Sequence, residues 1–218
     1  MSASHDIHHH PDEALLLAYA AGTADEATSL VVATHMHFCV LCRMQGRTLE
    51  SLGGAMLDEL TPAPLAGDAL QNTLARLDQV TPYERPRRAA SRDGTPAVLR
   101  TYLGGDLRDV RWRRMGPRLS FVELFRRRDV TVRLLRGVPG ADSGAHSHAG
   151  AELTLVLKGG YTDVTGNYGP GDFQIADAGL VHNTVADPGE DCINLSVTHG
   201  ALRFEKLLQK IAGPFFGF

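Results

Sequence analysis

The sequence predicts a multi-domain α + β protein, with a small helical domain ahead of an antiparallel β-barrel or sandwich. Three observations predict it. The first eighty residues place apolar side chains at helical spacing. Residues 81–97, TPYERPRRAASRDGTPA, combine proline, arginine and small residues without periodicity, a linker composition. From residue 98 onward, short apolar or alternating runs are separated by clusters of Gly, Pro, Asp and Asn. The expected organisation is 1–80 helical, 81–97 linker and 98–218 barrel with a terminal helix. A chain of 218 residues accommodates two such domains.

The helices read in order. Pro11 at a first-turn position, with Asp12 and Glu13 after it, opens ALLLAYAAG, which Gly22 stops. Asp25 and Glu26 open ATSLVVATHMHF. A third helical pattern runs through RMQGRTLESLGGAMLDEL and ends at the TPAP of 61–64. GDALQNTLARLDQV makes a fourth short helix, with Leu70, Leu74 and Leu77 on one face. The strands read as LSFVELF, VTVRLLR, ELTLVLK, DFQIAD and CINLSV, and ALRFEKLLQKIAG closes the chain as an amphipathic helix.

Charge is uneven. Residues 1–80 carry three basic residues (Arg43, Arg47, Arg76) against ten acidic ones, a net of −7, and the remainder carries +4. An acidic unit repels nucleic acid and complements a basic partner surface. Arg85, Arg87, Arg88 and Arg92 in the linker lack interleaved aromatic residues beyond Tyr83, so solvation explains them better than nucleic-acid binding. No apolar run reaches the length of a membrane span, and MSASHDIHHHPDE lacks the order of a signal peptide. The expectation is a cytoplasmic protein with no membrane partner.

The stretch HMHFCVLC concentrates two of the three cysteines. His35, Cys39 and Cys42 stand at i, i+4 and i+7, within roughly 60° of one another on a helix. Imidazole and thiolate are zinc ligands, and a closed structural site takes four. His5, His8, His9, His10 and His37 are the nearby candidates for the fourth. His10 directly precedes the Pro11 helix start and so sits at a fixed point. His8 and His9 lie on a looser tail, and His37 points away from His35 on a helix. His10 is therefore chosen. Two buried cysteines and a surface histidine would be the bland alternative, but a small helical unit with few aromatics gains most from a metal staple.

A second constellation reads G-x5-H-x-H-x3-E-x6-G from Gly140 to Gly159. His146 and His148 project to one face of an extended segment, Glu152 begins the next strand, and GDFQIADAGLVH delivers His182 after a turn. Three imidazoles and a carboxylate suit zinc or another divalent first-row metal. The pattern resembles the two cupin motifs. The second is matched at Gly171, Gly179 and His182 and departs at Asp177, where proline is usual, and at Ala186, where asparagine is usual. The barrel is accordingly expected to be of the cupin type.

A zinc-ligand helical unit followed by a cupin resembles the ChrR-type anti-sigma factors, through HHPDEALLLAYAAGT, SLVVATHMHFCVLC, ELTLVLKGGY and the terminal PFF. The resemblance implies that an N-terminal zinc domain, matched at His10, His35, Cys39 and Cys42, binds an extracytoplasmic-function sigma factor. It implies a second zinc at His146, His148, Glu152 and His182, and release of the sigma factor under singlet oxygen and related oxidants. Cys192 reads as a buried cysteine or as an oxidant-sensitive thiol; where some family members carry a second cysteine two residues on, this chain has Asn194. Two other functions compete. A cupin dioxygenase or isomerase would use a metal with an open position and a pocket lined by Tyr161, Arg133 and Tyr168. It leaves the N-terminal unit unexplained. A DNA-binding regulator with a cupin sensor conflicts with the acidic first half.

Overall fold

The structure, a computed structural model, describes residues 6–77, 79 and 90–204. Helix α1 (Glu13–Ala20) starts after Asp12, whose carboxylate accepts the Leu15 N–H. Pro11 therefore precedes the cap instead of occupying the first turn. An aspartate cap satisfies a helix-end N–H that proline at that place would merely lack. Asp25 caps α2 (Glu26–Phe38) in the same way through the Thr28 N–H.

The second helix ends at Phe38 as its pattern predicts, and His35, Cys39 and Cys42 straddle a junction between two helices instead of sharing one. Cys39 is extended (φ −95°, ψ 112°); its N–H closes α2 on the His35 carbonyl, and its sulfur accepts the Cys42 N–H to open α3 (Val40–Asp58). A sulfur acceptor at the cap position competes with continued helix in the way a short polar side chain does. The third helix thus begins three residues before the expected Arg43. The fourth, α4 (Ala69–Leu77), buries no residue.

Residues 81–89 of the expected linker lie outside the described residues. The rest of it is fastened down. Arg92 donates its backbone N–H and guanidinium to Asp106, and Asp93 accepts the N–H groups of Thr95 and Arg108. Helix α5 (Ala97–Leu103) follows.

The strands then run β1 (Arg113–Arg114), β2 (Leu119–Arg127), β3 (Val130–Gly137), β4 (His146–His148), β5 (Glu152–Lys158) and β6 (Tyr161–Asp163). They continue as β7 (Gly166–Tyr168), β8 (Phe173–Ala176), β9 (Val185–Ala186), β10 (Cys192–His199) and β11 (Leu202–Phe204). One antiparallel sheet has the order β1-β2-β3-β10-β5-β8, a second β7-β6-β9, and β4 pairs with β11. The helix expected from Ala201 is contradicted at Leu202–Phe204. Those residues form a ladder with His146–His148, where backbone pairing overrides the local period. Residues 205–213 of that helix lie outside the described residues.

Alternation along β5, ELTLVLK, sorts the interior. Leu153, Leu155 and Leu157 join Val132, Leu134, Leu195, Val197 and Phe173 on one face of the sheet. Ala27, Leu30 and Val31 of α2 and Leu99 of α5 cover that face. The other face carries Glu152, Thr154, Ser196 and Thr198 at the mouth of the barrel. The N-terminal helices and the barrel therefore share a core. Leu195→Ala should cost about 2–5 kcal/mol, and because α2 and the sheet pack on the same residues, helical and β signals should disappear in one denaturant transition.

Candidate metal centres

The structure gathers the eight sequence-selected residues into two groups of four, and within each group one potential ligand atom per residue lies within 4.8 Å of the others. The first group is His10, His35, Cys39 and Cys42. His10 Nδ1 lies 3.5 Å from Cys39 Sγ and 3.4 Å from Cys42 Sγ. The His35 ring stands edge-on to the His10 ring, with centroids 5.6 Å apart. Its Nδ1 lies 2.9 Å from the Gly171 carbonyl, which fixes the proton there and turns Nε2 toward the sulfurs. Nε2 is buried with no hydrogen-bond partner among the described residues. His8 and His37 are exposed and His9 lies against the Tyr168 ring, so none of them enters the group. His5 lies outside the described residues.

Burial, and then the neighbouring Cys39, push the Cys42 thiol up to about 12. Burial pulls His35 down to about 4. Two buried thiols, two imidazoles and an orphaned ring nitrogen fit a soft divalent cation, whose charge makes thiolates affordable in an apolar setting. In the metal-free protein, His35 titrates near 6.5 when unfolded and near 4 when folded. The unfolded chain then binds more protons between those values. Stability is intact above pH 6.5 and falls by up to about 3 kcal/mol as pH drops toward 4. Melting of chelator-treated protein across that window checks the sign: His35→Gln should flatten the slope.

The second group sits at the barrel mouth. His148 Nε2 lies 3.1 Å from His182 Nε2 and 3.2 Å from Glu152 Oε2, which is 3.6 Å from His182 Nε2. His146 Nδ1 engages the Gly144 carbonyl at 2.7 Å. His182 Nδ1 faces Asp163 Oδ2 at 3.3 Å. Both arrangements place the ring proton on Nδ1 and leave the Nε2 lone pair facing the group. Glu152 Oε1 accepts the Ser196 hydroxyl at 2.7 Å and the Thr198 hydroxyl at 3.4 Å. Burial works to raise the Glu152 carboxyl, but the hydrogen bond to His148 and the nearby imidazoles outweigh it and bring it down to about 2. Lone pairs and a carboxylate directed at one point fit a cation. The departures at Asp177 and Ala186 leave this geometry intact.

The supporting residues carried no motif signal. Asp163 lies in the β6–β7 hairpin, Ser196 and Thr198 alternate on β10, and Gly171 acts through its carbonyl. The nearest usable signs were the GD pair of Gly171 and Asp172 and the polar alternation in CINLSVTH.

A cavity of about 80 Å³ adjoins His146 and Glu152, lined also by Arg133, Asn194 and Leu135. Tyr161 and Tyr168, paired with Arg133 in the enzyme reading, are not part of its wall; they stack on each other, and the Tyr161 hydroxyl donates to Gln174. Small-molecule sites usually enclose roughly 300–1,000 Å³. Cys192 is buried, and burial raises its thiol to about 12, which suits the unreactive of its two readings.

The ChrR cupin-like domain family matches residues 102–203. The anti-sigma-E factor ChrR of Cereibacter sphaeroides is 43% identical over 211 residues, covering 96% of this chain and 98% of the relative. A crystal structure of Rhodobacter sphaeroides SigE in complex with the anti-sigma ChrR is similar with a TM-score of 0.78 and 41% identity. That similarity covers 88% of this chain and 100% of the other.

Proposed function

Because the chain belongs to the ChrR family of anti-sigma factors, we propose that it binds and inhibits an extracytoplasmic-function sigma factor through residues 1–80. The barrel unit, residues 98–218, governs release under oxidative stress of the singlet-oxygen type.

The observation that carries this reading is the exposed face of α3. Leu41, Met44, Leu52 and Met56 are 57–68% exposed. At 100° per residue they fall within about 120° of one another. The stripe starts between the two cysteines of the first group, so a metal there fixes the angle at which α3 is presented. Leu70, Leu74 and Leu77 of α4 are likewise exposed and offer a second apolar face. Apolar faces on an acidic unit suit a partner that is itself basic at its nucleic-acid surface, and electrostatics then speeds the encounter more than it holds the complex.

His10, His35, Cys39 and Cys42 hold zinc in this reading, as a closed structural site. His146, His148, Glu152 and His182 hold zinc or another divalent first-row metal. The protein is a cytoplasmic regulator that contacts neither nucleic acid nor membrane directly, and the small barrel cavity supports regulation over turnover. No helix among the described residues is long and apolar enough to cross a membrane.

Co-expression with the host's extracytoplasmic-function sigma factors, followed by co-purification and metal analysis, tests the reading. One sigma factor should be retained with two metal equivalents. Leu52→Asp with Met56→Asp should weaken that complex by about 30-fold or more, the loss of a buried hot spot, without loss of metal. Failure of every sigma factor to co-purify, or wild-type affinity in the double variant, would refute it.

A further inference from the structure

We propose that the barrel turn at residues 169–173 positions the N-terminal metal ligands through Asp172 and the Gly171 carbonyl, so that the two metal sites are energetically coupled. The inference rests on the reading above that both groups of four hold a metal.

The contacts on the N-terminal side are specific. The Asp172 carboxylate is fully buried. Its Oδ1 accepts the backbone N–H groups of His8 and His9 at 2.8 and 2.9 Å, and its Oδ2 accepts the Gly169 N–H at 2.9 Å. The Phe173 N–H donates to the His9 carbonyl at 3.0 Å. These bonds fix the backbone immediately before His10. The next carbonyl, that of Gly171, holds the His35 ring. One five-residue turn thus restrains two of the four ligands from outside their own helices. Approach is close enough to demand glycine at 171: φ is +92°, and a Cβ there would lie 2.6 Å from the Ile7 side chain and 3.1 Å from Phe38.

The same turn is tied to the second group. The Gly171 N–H donates to the Val156 carbonyl, and the Val156 N–H to the Asp172 carbonyl, on the strand that begins with Glu152. Glu152 pairs with Ala176 across β5 and β8. Gln174 on β8 donates its amide to Asp163 Oδ2 at 2.6 Å, the same oxygen that faces His182. A route of hydrogen bonds and one backbone step therefore runs from His182 through Asp163 to the Gln174 side chain, along the chain from Gln174 to the turn, and by hydrogen bonds to the His35 ring and to the backbone just before His10. Partners that orient metal ligands are worth roughly ten- to hundredfold in metal affinity, and linkage makes any coupling reciprocal.

Cobalt titration of the full-length protein separates the two sites. Only the cysteine-containing group gives thiolate-to-cobalt charge-transfer absorption, since the barrel group has no sulfur. Asp172→Ala should weaken the thiolate-site affinity by about ten- to hundredfold and alter its visible d–d bands. Asp163→Ala, which touches neither N-terminal ligand, should shift the same midpoint by about fivefold or more. Phe121→Ala, a core cavity on β2, should lower the melting temperature and leave the midpoint in place. If Asp172→Ala does not fold, Asp172→Asn, which keeps the shape and one acceptor oxygen, should give an intermediate shift. Wild-type midpoints and bands in a folded Asp172 variant would overturn the positioning role, and an unmoved midpoint in Asp163→Ala would overturn the coupling. Absence of a thiolate band in the wild-type protein would instead overturn the metal reading beneath both.

Discussion

Replacing Cys39 with alanine should remove one metal equivalent and abolish sigma inhibition, the largest functional loss expected of any single side chain here. Cys39 has two tasks. Its sulfur is one of two in the first group, and it accepts the Cys42 N–H as the cap of α3. Structural zinc in small Cys/His units contributes about 10–16 kcal/mol to folding, whereas a lost cap costs about 1 kcal/mol. The metal should dominate by that margin. In this chain α2 also packs on the sheet, so the helix content should fall only in part, mainly from α3. Cys39→Ser separates the two tasks: serine is a strong cap but not a thiolate. It should lose metal and inhibition as Cys39→Ala does. A metal-free Cys39→Ser protein that still silences a sigma-dependent reporter would show that the cap, and not the metal, sets the α3 face.

The sequence made the two groups of four legible because ligand chemistry imposes both residue type and spacing. His-x3-Cys-x2-Cys and His-x-His-x3-Glu each confine their members to a few ångströms once local structure forms. The end of α2 at Phe38 was legible, but the sulfur cap at Cys39 that starts α3 at Val40 was not, because the i, i+4, i+7 spacing is satisfied by a continuous helix and by a capped junction alike. Nor was the shared core. Leu153, Leu155 and Leu157 alternate with Glu152, Thr154 and Val156, and alternation reports that a face is buried without reporting what buries it. Here α2 does so: Ala27, Leu30 and Val31, from the helical segment of the first eighty residues, lie on the sheet. Backbone contacts were the least visible layer. The Gly171 carbonyl and the N–H groups of His8 and His9 carry no side-chain signature, so the turn that joins the two halves emerges only in three dimensions.

Glu152→Ala should leave sigma binding intact and block its release under singlet oxygen. Glu152 is the only carboxylate among the second four. Its Oε2 closes on His148 and His182, and its Oε1 is held by Ser196. Alanine removes the charge that balances a divalent cation there and leaves the Ser196 hydroxyl without this acceptor, so the barrel metal should be lost. The exposed stripe on α3 and the first four ligands are untouched. Any coupled weakening of the N-terminal site is absorbed while zinc exceeds its raised dissociation constant, so inhibition in the dark should match wild type. Under light with a photosensitiser, the wild-type barrel has a ligand set for an oxidant to alter and a route of hydrogen bonds and backbone from His182 to His35. The variant keeps that route but should lack the metal, and with it the complete ligand set, at its barrel end. A sigma-dependent reporter should therefore rise in the wild-type strain and stay off in the Glu152→Ala strain. Normal induction in the variant would take the barrel metal out of the signalling mechanism. Loss of repression in the dark would mean instead that the barrel metal is needed to hold the sigma factor and not to let it go.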